Sequence, residues 1–241
     1  MTWMVGDPVA ETAVPPTESF GLRTRELGSV FRDTTSSYKF FWLLAIIDLL
    51  PEFDRPLAVG KLVQAMVIRA WAAVVLFRLS LGNVDRLQDC VRALQRSSGL
   101  AARSSAARVN QAIDAWPMTS FWIDELTRFV PGRFLGTWFP EVARATPYDR
   151  RGSRALVAVA DRAVGQAESG PYRLIEMPDS VLVELAPGWR EFLLENRQVV
   201  LGFAEHQLTR YLQARNPSVP AIANKLRLPR RRSLGPAGMV G

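Results

Sequence analysis

The strongest constraint in this chain is a helix with no polar face. In DTTSSYKFFWLLAIIDLLPEF, every residue from Phe40 to Ile47 is apolar. A helix that is apolar round its whole circumference is stable in water only at the centre of a core. Thr34, Thr35, Ser36 or Ser37 can cap its start by accepting a bond from an orphan N–H. Pro51 stops it, because the residue before a proline is pushed out of the α region. The sequence therefore predicts a helix from about Ser37 to Leu50 with the rest of the chain wrapped round it. At 241 residues there is enough chain to bury it, as one large domain or two small ones.

The flanking stretches read mainly as helices. Phe20–Phe31 forms a short one, with Leu22, Leu27 and Val30 on one side. Leu57–Leu79 places Leu62, Val63, Met66, Val67, Ala70, Trp71, Val74 and Val75 at core spacing. Gly82-Asn83 breaks it, and Asn83 or Asp85 starts another helix through Leu87, Val91 and Leu94 to Gly99. Ala101–Trp116 and Thr119–Val130 follow, divided by Pro117. Tyr148–Gly152 is a polar, basic loop and a candidate sub-boundary. Arg154–Gln166 is a helix of small residues closed by Gly170-Pro171. YRLIEMPDSVLVEL reads as a β-hairpin, with strands Tyr172–Glu176 and Val181–Leu185 and a turn at Pro178-Asp179-Ser180. A closing helix, Pro187–Arg215, carries Trp189, Phe192, Leu193, Val199, Val200, Phe203, Leu208, Tyr211 and Leu212 at helical spacing, with Pro187 in its first turn. Asn216-Pro217 ends it. The expected fold class is mainly α: a multi-helix globular domain over 18–226 with one small hairpin near 172–185. A disordered N-terminus, 1–17, precedes it and a basic disordered tail, 227–241, follows.

Charge is concentrated at one end. After Glu205 there is no acidic residue and there are seven basic ones: Arg210, Arg215, Lys225, Arg227, Arg230, Arg231 and Arg232. The whole chain carries +7, so residues 1–205 are formally neutral. A cluster of this kind marks contact with a polyanion, and with Asn216 it supplies donors for phosphate. A solubilising tail is the plainer account of the last of these residues. Lys39 is the other candidate, because a cation is disfavoured at the positive end of a helix dipole unless an anion binds there.

Several chemistries are excluded. The longest uncharged apolar runs, near Phe40–Ile47 and Ala70–Phe77, are too short to span a bilayer, so no membrane partner is expected. The N-terminus has neither a basic nor an apolar signal region. One cysteine, Cys90, rules out an intramolecular disulfide and fits a reducing compartment, with the cytoplasm expected. The single histidine, His206, lies in mid-helix with no nucleophile partner, so no catalytic residue is assigned. Structural zinc would need several Cys or His ligands, and no phosphate-cradling glycine loop occurs. Asp179, Glu184 and Ala186 stand where a PD-(D/E)xK nuclease core would have two carboxylates and a lysine. The lysine is missing and the carboxylates are too close along the chain, so Asp179 reads as a turn residue.

YLQARNPSVPAIANKL, TTSSYKFFWLLAIIDLL and SLGNVDRLQDCVRAL together resemble stretches of a family of bacterial HNH endonucleases of restriction or phage-defence type. VPGRFLGTWFP is similar to that family's Val-Pro-aromatic-Arg-Phe-Leu stretch, with Gly132 in place of the aromatic residue. In the family a mostly helical N-terminal region precedes a small ββα-metal nuclease domain. This chain ends at Gly241, about where that domain is expected to begin. The resemblance implies a non-catalytic region that positions DNA. No cofactor is assigned to this chain; a divalent metal would belong to the nuclease domain, and a separate chain could supply that domain. The alternative is a helical protein-interaction or regulatory module whose basic tail serves solubility. Neither reading fixes the oligomeric state.

Overall fold

The computed structural model describes residues 22–226 apart from 33, 129, 148–149 and 166–168. The N-terminus expected to be disordered and the tail with Arg227, Arg230, Arg231 and Arg232 lie outside the described residues. The described residues are mainly helical, with one small antiparallel sheet.

A short helix, α1 (Arg25–Ser29), leads to α2 (Tyr38–Leu49). α2 is central, as its apolar run requires: every residue from Phe40 to Ile47 is buried. Two aromatic clusters grow from it. Phe40 stacks on Phe31 with ring centroids 4.3 Å apart and meets Tyr211 at 4.9 Å; Phe31 also stacks on Phe203. Trp42, about 200° further round the helix, donates its indole N–H to the Tyr172 hydroxyl at 3.0 Å. Tyr172 in turn donates to the Pro131 carbonyl at 2.6 Å, and Phe134, Trp138, Trp189 and Phe192 continue this second cluster in stacked and edge-to-face pairs.

The single helix expected over Leu57–Leu79 is three pieces. Leu57–Ala58 is a two-residue strand, β1, and α3 (Val59–Trp71) follows. A π-helical segment, Ala72–Leu76, comes last. The cause of the first change is tertiary. β1 pairs antiparallel with β3 (Ser180–Leu185), so Leu57 reaches the core opposite Val183 rather than from a helix. By length and composition Val59–Leu76 is apolar enough to cross a membrane, which a search for uncharged runs overlooks because Lys61 and Arg69 interrupt it. More than half of that segment is buried, and α3 packs against α2, α4, α5 and α6.

α4 (Arg86–Ser98) starts at Asp85 and ends at Gly99, whose φ of 65° suits a residue without a Cβ. α5 (Ala106–Asp114) and α6 (Thr119–Thr127) are shorter than expected. Ala102 stays outside the helix, where its carbonyl accepts from the Trp71 indole. α7 (Val130–Leu135), α8 (Pro140–Ala145) and α9 (Arg150–Arg162) follow. The basic loop expected at Tyr148–Gly152 is replaced by helix from Arg150 onward. α9 lies close on α7: a Cβ on Gly132 would stand 2.3 Å from Ser153 Oγ. An aromatic side chain at 132 could not fit without displacing α9, which accounts for the glycine. Leu156 and Ala160 of α9 join the same core as Phe134.

β2 (Tyr172–Met177) and β3 form the expected hairpin round Pro178-Asp179, and the sheet order is β1-β3-β2. Arg173 pairs with Glu184 directly across the strands. Glu184 is therefore occupied by an arginine, and Asp179 stands in the turn.

The closing helix is broken in two. α10 (Trp189–Glu195) begins after Gly188, where φ is 80°, so Pro187 precedes the helix instead of entering it. α11 (Arg197–Arg215) begins after Asn196, whose amide donates to the Phe192 carbonyl at 2.9 Å. The break lets Trp189 enter the second aromatic cluster while α11 crosses α2. Val199, beside the break, is 46% exposed, and Val200 takes the core position. α12 (Ile222–Leu226) packs on the π-helical segment.

Candidate nucleic-acid interface

The start of α2, the start of α4 and the end of α11 meet at one junction. Asp85 organises it. One carboxylate oxygen accepts from the Ser37 N–H at 2.7 Å, beside the start of α2. The other accepts from Leu87 and Gln88, the first turn of α4. Two helix N-termini thus share one carboxylate, the charge their dipoles favour. The group is 2% exposed. Burial pushes its carboxyl above the usual range, and the amides of Ser37, Gln88 and Leu87 work in the opposite direction. Next to it the Tyr38 hydroxyl accepts from the Arg86 N–H, and burial, then the charge of Asp85, pushes the Tyr38 phenol up.

The end of α11 fastens to the same place. Tyr211 donates its hydroxyl to the Leu81 carbonyl at 2.8 Å. Asn216 accepts from the Ser80 N–H at 2.8 Å and donates to the carbonyls of Ser80 and Leu212 at 3.0 and 2.8 Å. A side-chain amide is required here, since it must accept from and donate to one backbone residue. The Arg215 guanidinium lies 3.6 Å from the centroid of the Tyr211 ring and donates to the carbonyls of Thr35 and Tyr211. Gly82 permits this approach: its φ is 130°, and a Cβ there would sit 3.4 Å from Arg215 Nε. Glu205, the last acidic residue, is drawn back toward the body, where Arg69 binds it at 3.4 Å and Asp48 at 2.5 Å.

No protein-family model, no curated protein and no solved structure matches this chain.

The candidate residues from the sequence separate into three groups. Arg215 and Asn216 come together at the junction, and Lys225 stands nearby with its ammonium 5.7 Å from the Phe77 ring. Asn216 is only 8% exposed and its polar atoms are engaged internally, so it holds the loop in place instead of presenting donors outward. Arg210 is exposed, five residues before Arg215 and about 140° away round the helix. Lys39 donates to the carbonyl of Val30, the residue that closes α1, where a cation is favoured. The anion expected beside the start of α2 is a residue of this chain, Asp85. Arg227, Arg230, Arg231 and Arg232 follow α12 outside the described residues.

Sequence reading passed over the Asp85 carboxylate as a joint between two helices, and Tyr211 as anything but a core residue. Neither role leaves a local pattern, because the partners lie 48 residues from Asp85 and 130 from Tyr211. Among the described residues, no group of three or more His, Cys, Asp or Glu side chains could hold a metal ion.

Proposed function

We propose that this chain is a non-catalytic DNA-binding and positioning region, resembling the helical N-terminal part of bacterial HNH endonucleases and working in the cytoplasm in restriction or phage defence. One observation carries the reading. The two stretches on which the resemblance is most specific, 34–50 and 210–226, and a third that carries it, 80–94, are distant in sequence and meet at the junction of Asp85, Tyr211 and Asn216. Residues that the resemblance groups together are thus those that support Arg215 and the segment leading to Lys225. The local carboxylate, Asp85, is turned inward onto amides. Arg215, Lys225, Arg210 and the tail arginines contact phosphates, while cleavage and its divalent metal belong to a nuclease domain of the kind found in the resembled family.

The test is fluorescence anisotropy of purified chain with duplex DNA between 50 and 200 mM salt. With about three to seven phosphates neutralised, log K against log salt should fall with a slope near −3 to −6. No binding at low salt, or binding indifferent to salt, overturns the reading. A second reading, a protein-interaction or regulatory module, is favoured by an open groove of about 860 Å³ between β2 and α9, lined by apolar Val157, Leu174 and Ile175 and by Arg154 and Asp161. Deletion of residues 227–241 separates the two. Loss of DNA binding with folding retained supports the first; an intact partner interaction with no DNA affinity supports the second.

A further inference from the structure

We infer that Arg78 is a phosphate-contacting residue of the same surface as Arg215 and Lys225; this rests on the DNA-binding reading above. Nothing in the sequence draws attention to Arg78, because helical spacing runs on to Leu79. In the structure it is exposed and has a φ of 52°, a left-handed conformation that Gly or Asn adopts easily and that costs an arginine free energy. Among the described residues its guanidinium has no hydrogen-bond or ion-pair partner.

The backbone on both sides explains how that conformation is held. Behind it, the Phe77 N–H donates to Ala72 and the Leu79 N–H to Ala73, at 2.9 and 2.8 Å, closing the π-helical segment. Ahead of it, Leu79 and Leu81 are fully buried, Ser80 is clamped by Asn216, and the Leu81 N–H donates to Gln88 Oε1 at 2.8 Å. The chain must reverse at one residue between these anchors, and that residue is 78. A glycine would serve the turn better, so the backbone gives no reason for an arginine. A strained, unpaired cation fixed between two anchors points to a function that outweighs the strain.

The placement identifies that function. Residue 77 lies under Lys225, and residue 80 is bonded to Asn216, the neighbour of Arg215. Arg78 therefore stands between two of the points at which the acid-free C-terminal segment is fastened to the body. A guanidinium there adds a further donor for the phosphate backbone of duplex DNA, held by a backbone anchored on both sides.

The experiment compares the full chain with Arg78→Gly, Arg78→Lys and Arg144→Gln, the last a charge change on α8. Thermal stability and duplex-DNA affinity are measured over the same salt series. Arg78→Gly is expected to melt no lower than wild type, because the strain is relieved, yet to bind about three- to tenfold more weakly, with the salt slope reduced by about one. Arg78→Lys should retain most of the affinity, and Arg144→Gln all of it. If wild type binds and Arg78→Gly binds with the same affinity and slope, this inference fails and the DNA-binding reading stands. An equal loss in Arg144→Gln makes the effect one of net charge and also overturns it. If wild type does not bind duplex DNA, or binds double-stranded RNA alone, the underlying reading falls and this one with it.

Discussion

The two sides of α2 are secured by different chemistry. On the Trp42 side, Tyr172, Phe134, Trp138 and Trp189 form a closed aromatic column with buried rings. On the Phe40 side, Phe31, Phe203 and Tyr211 pack and then give way to carbonyls, an inward carboxylate and partly exposed arginine. The first arrangement depends mainly on area removed from water and on ring packing, with the neutral Trp42–Tyr172–Pro131 bonds inside it, and charge screening acts on none of these. The second depends on hydrogen bonds whose partners are fixed atom by atom. The contrast assigns bulk stability to one side and the placement of charge to the other.

The largest test is Trp189→Ala. It should lower stability by about 3–5 kcal/mol, read from denaturant midpoints. Duplex-DNA affinity of the protein that remains folded should not change. An equal fall in that affinity would break the separation between the two sides.

Asp85→Ala comes next, at about 2–4 kcal/mol, since α4 loses its cap and the Ser37 N–H is left buried without an acceptor. Its pH signature has a definite sign. Burial raises the carboxyl above its ordinary 3.8, so the folded state holds the proton more tightly than the unfolded chain. The stability linked to that proton is complete below 3.8 and is lost as pH rises through the folded value. Stability curves of wild type and Asp85→Asn should therefore diverge in slope over that window, the variant lacking the decline; parallel slopes would contradict the assignment.

Asn216→Leu removes both the acceptor for Ser80 and the two donors, and is expected to cost about 1–3 kcal/mol. It should weaken DNA binding as well, because the support for Arg215 is lost. Normal affinity in a folded Asn216→Leu protein would show that the clamp does not position the charge. Tyr211→Phe is milder, about 1 kcal/mol, from a single lost bond to Leu81.

The smallest expected signal is at Cys90. It is buried in α4, and burial pushes its thiol up to about 12. A thiol reagent at neutral pH should label native protein slowly and unfolded protein at once. Asp85→Ala, which loosens the start of the same helix, should speed that labelling under native conditions.

Local chemistry was readable wherever cause and effect lie within a few residues. The all-apolar run told that α2 is central, Pro178-Asp179 told of a tight turn, and Gly99 and Asn216-Pro217 told where helices end. What needed a distant partner was not readable. Leu57 follows helical spacing, but an open edge of β3 takes it into a strand. Lys39 reads locally as a cation awaiting an anion, and neither its bond to the Val30 carbonyl nor the Asp85 carboxylate on the Ser37 N–H leaves a local pattern. Arg78 lies in a run that suits a helix, and only anchors on Ala73 and Asn216 force the reversal there.

The order of residues alone therefore settled the helical class, the central helix, the hairpin and the gathering of positive charge beyond Glu205. Folding in three dimensions settled that Arg215 lies on the Tyr211 ring and bonds carbonyls, that Lys225 stands near Phe77, and that Asp85 joins two helix starts. The reason is range. Periodicity, caps and turns act over one to four residues, whereas a carboxylate shared by two helices exists only once distant segments have been brought together.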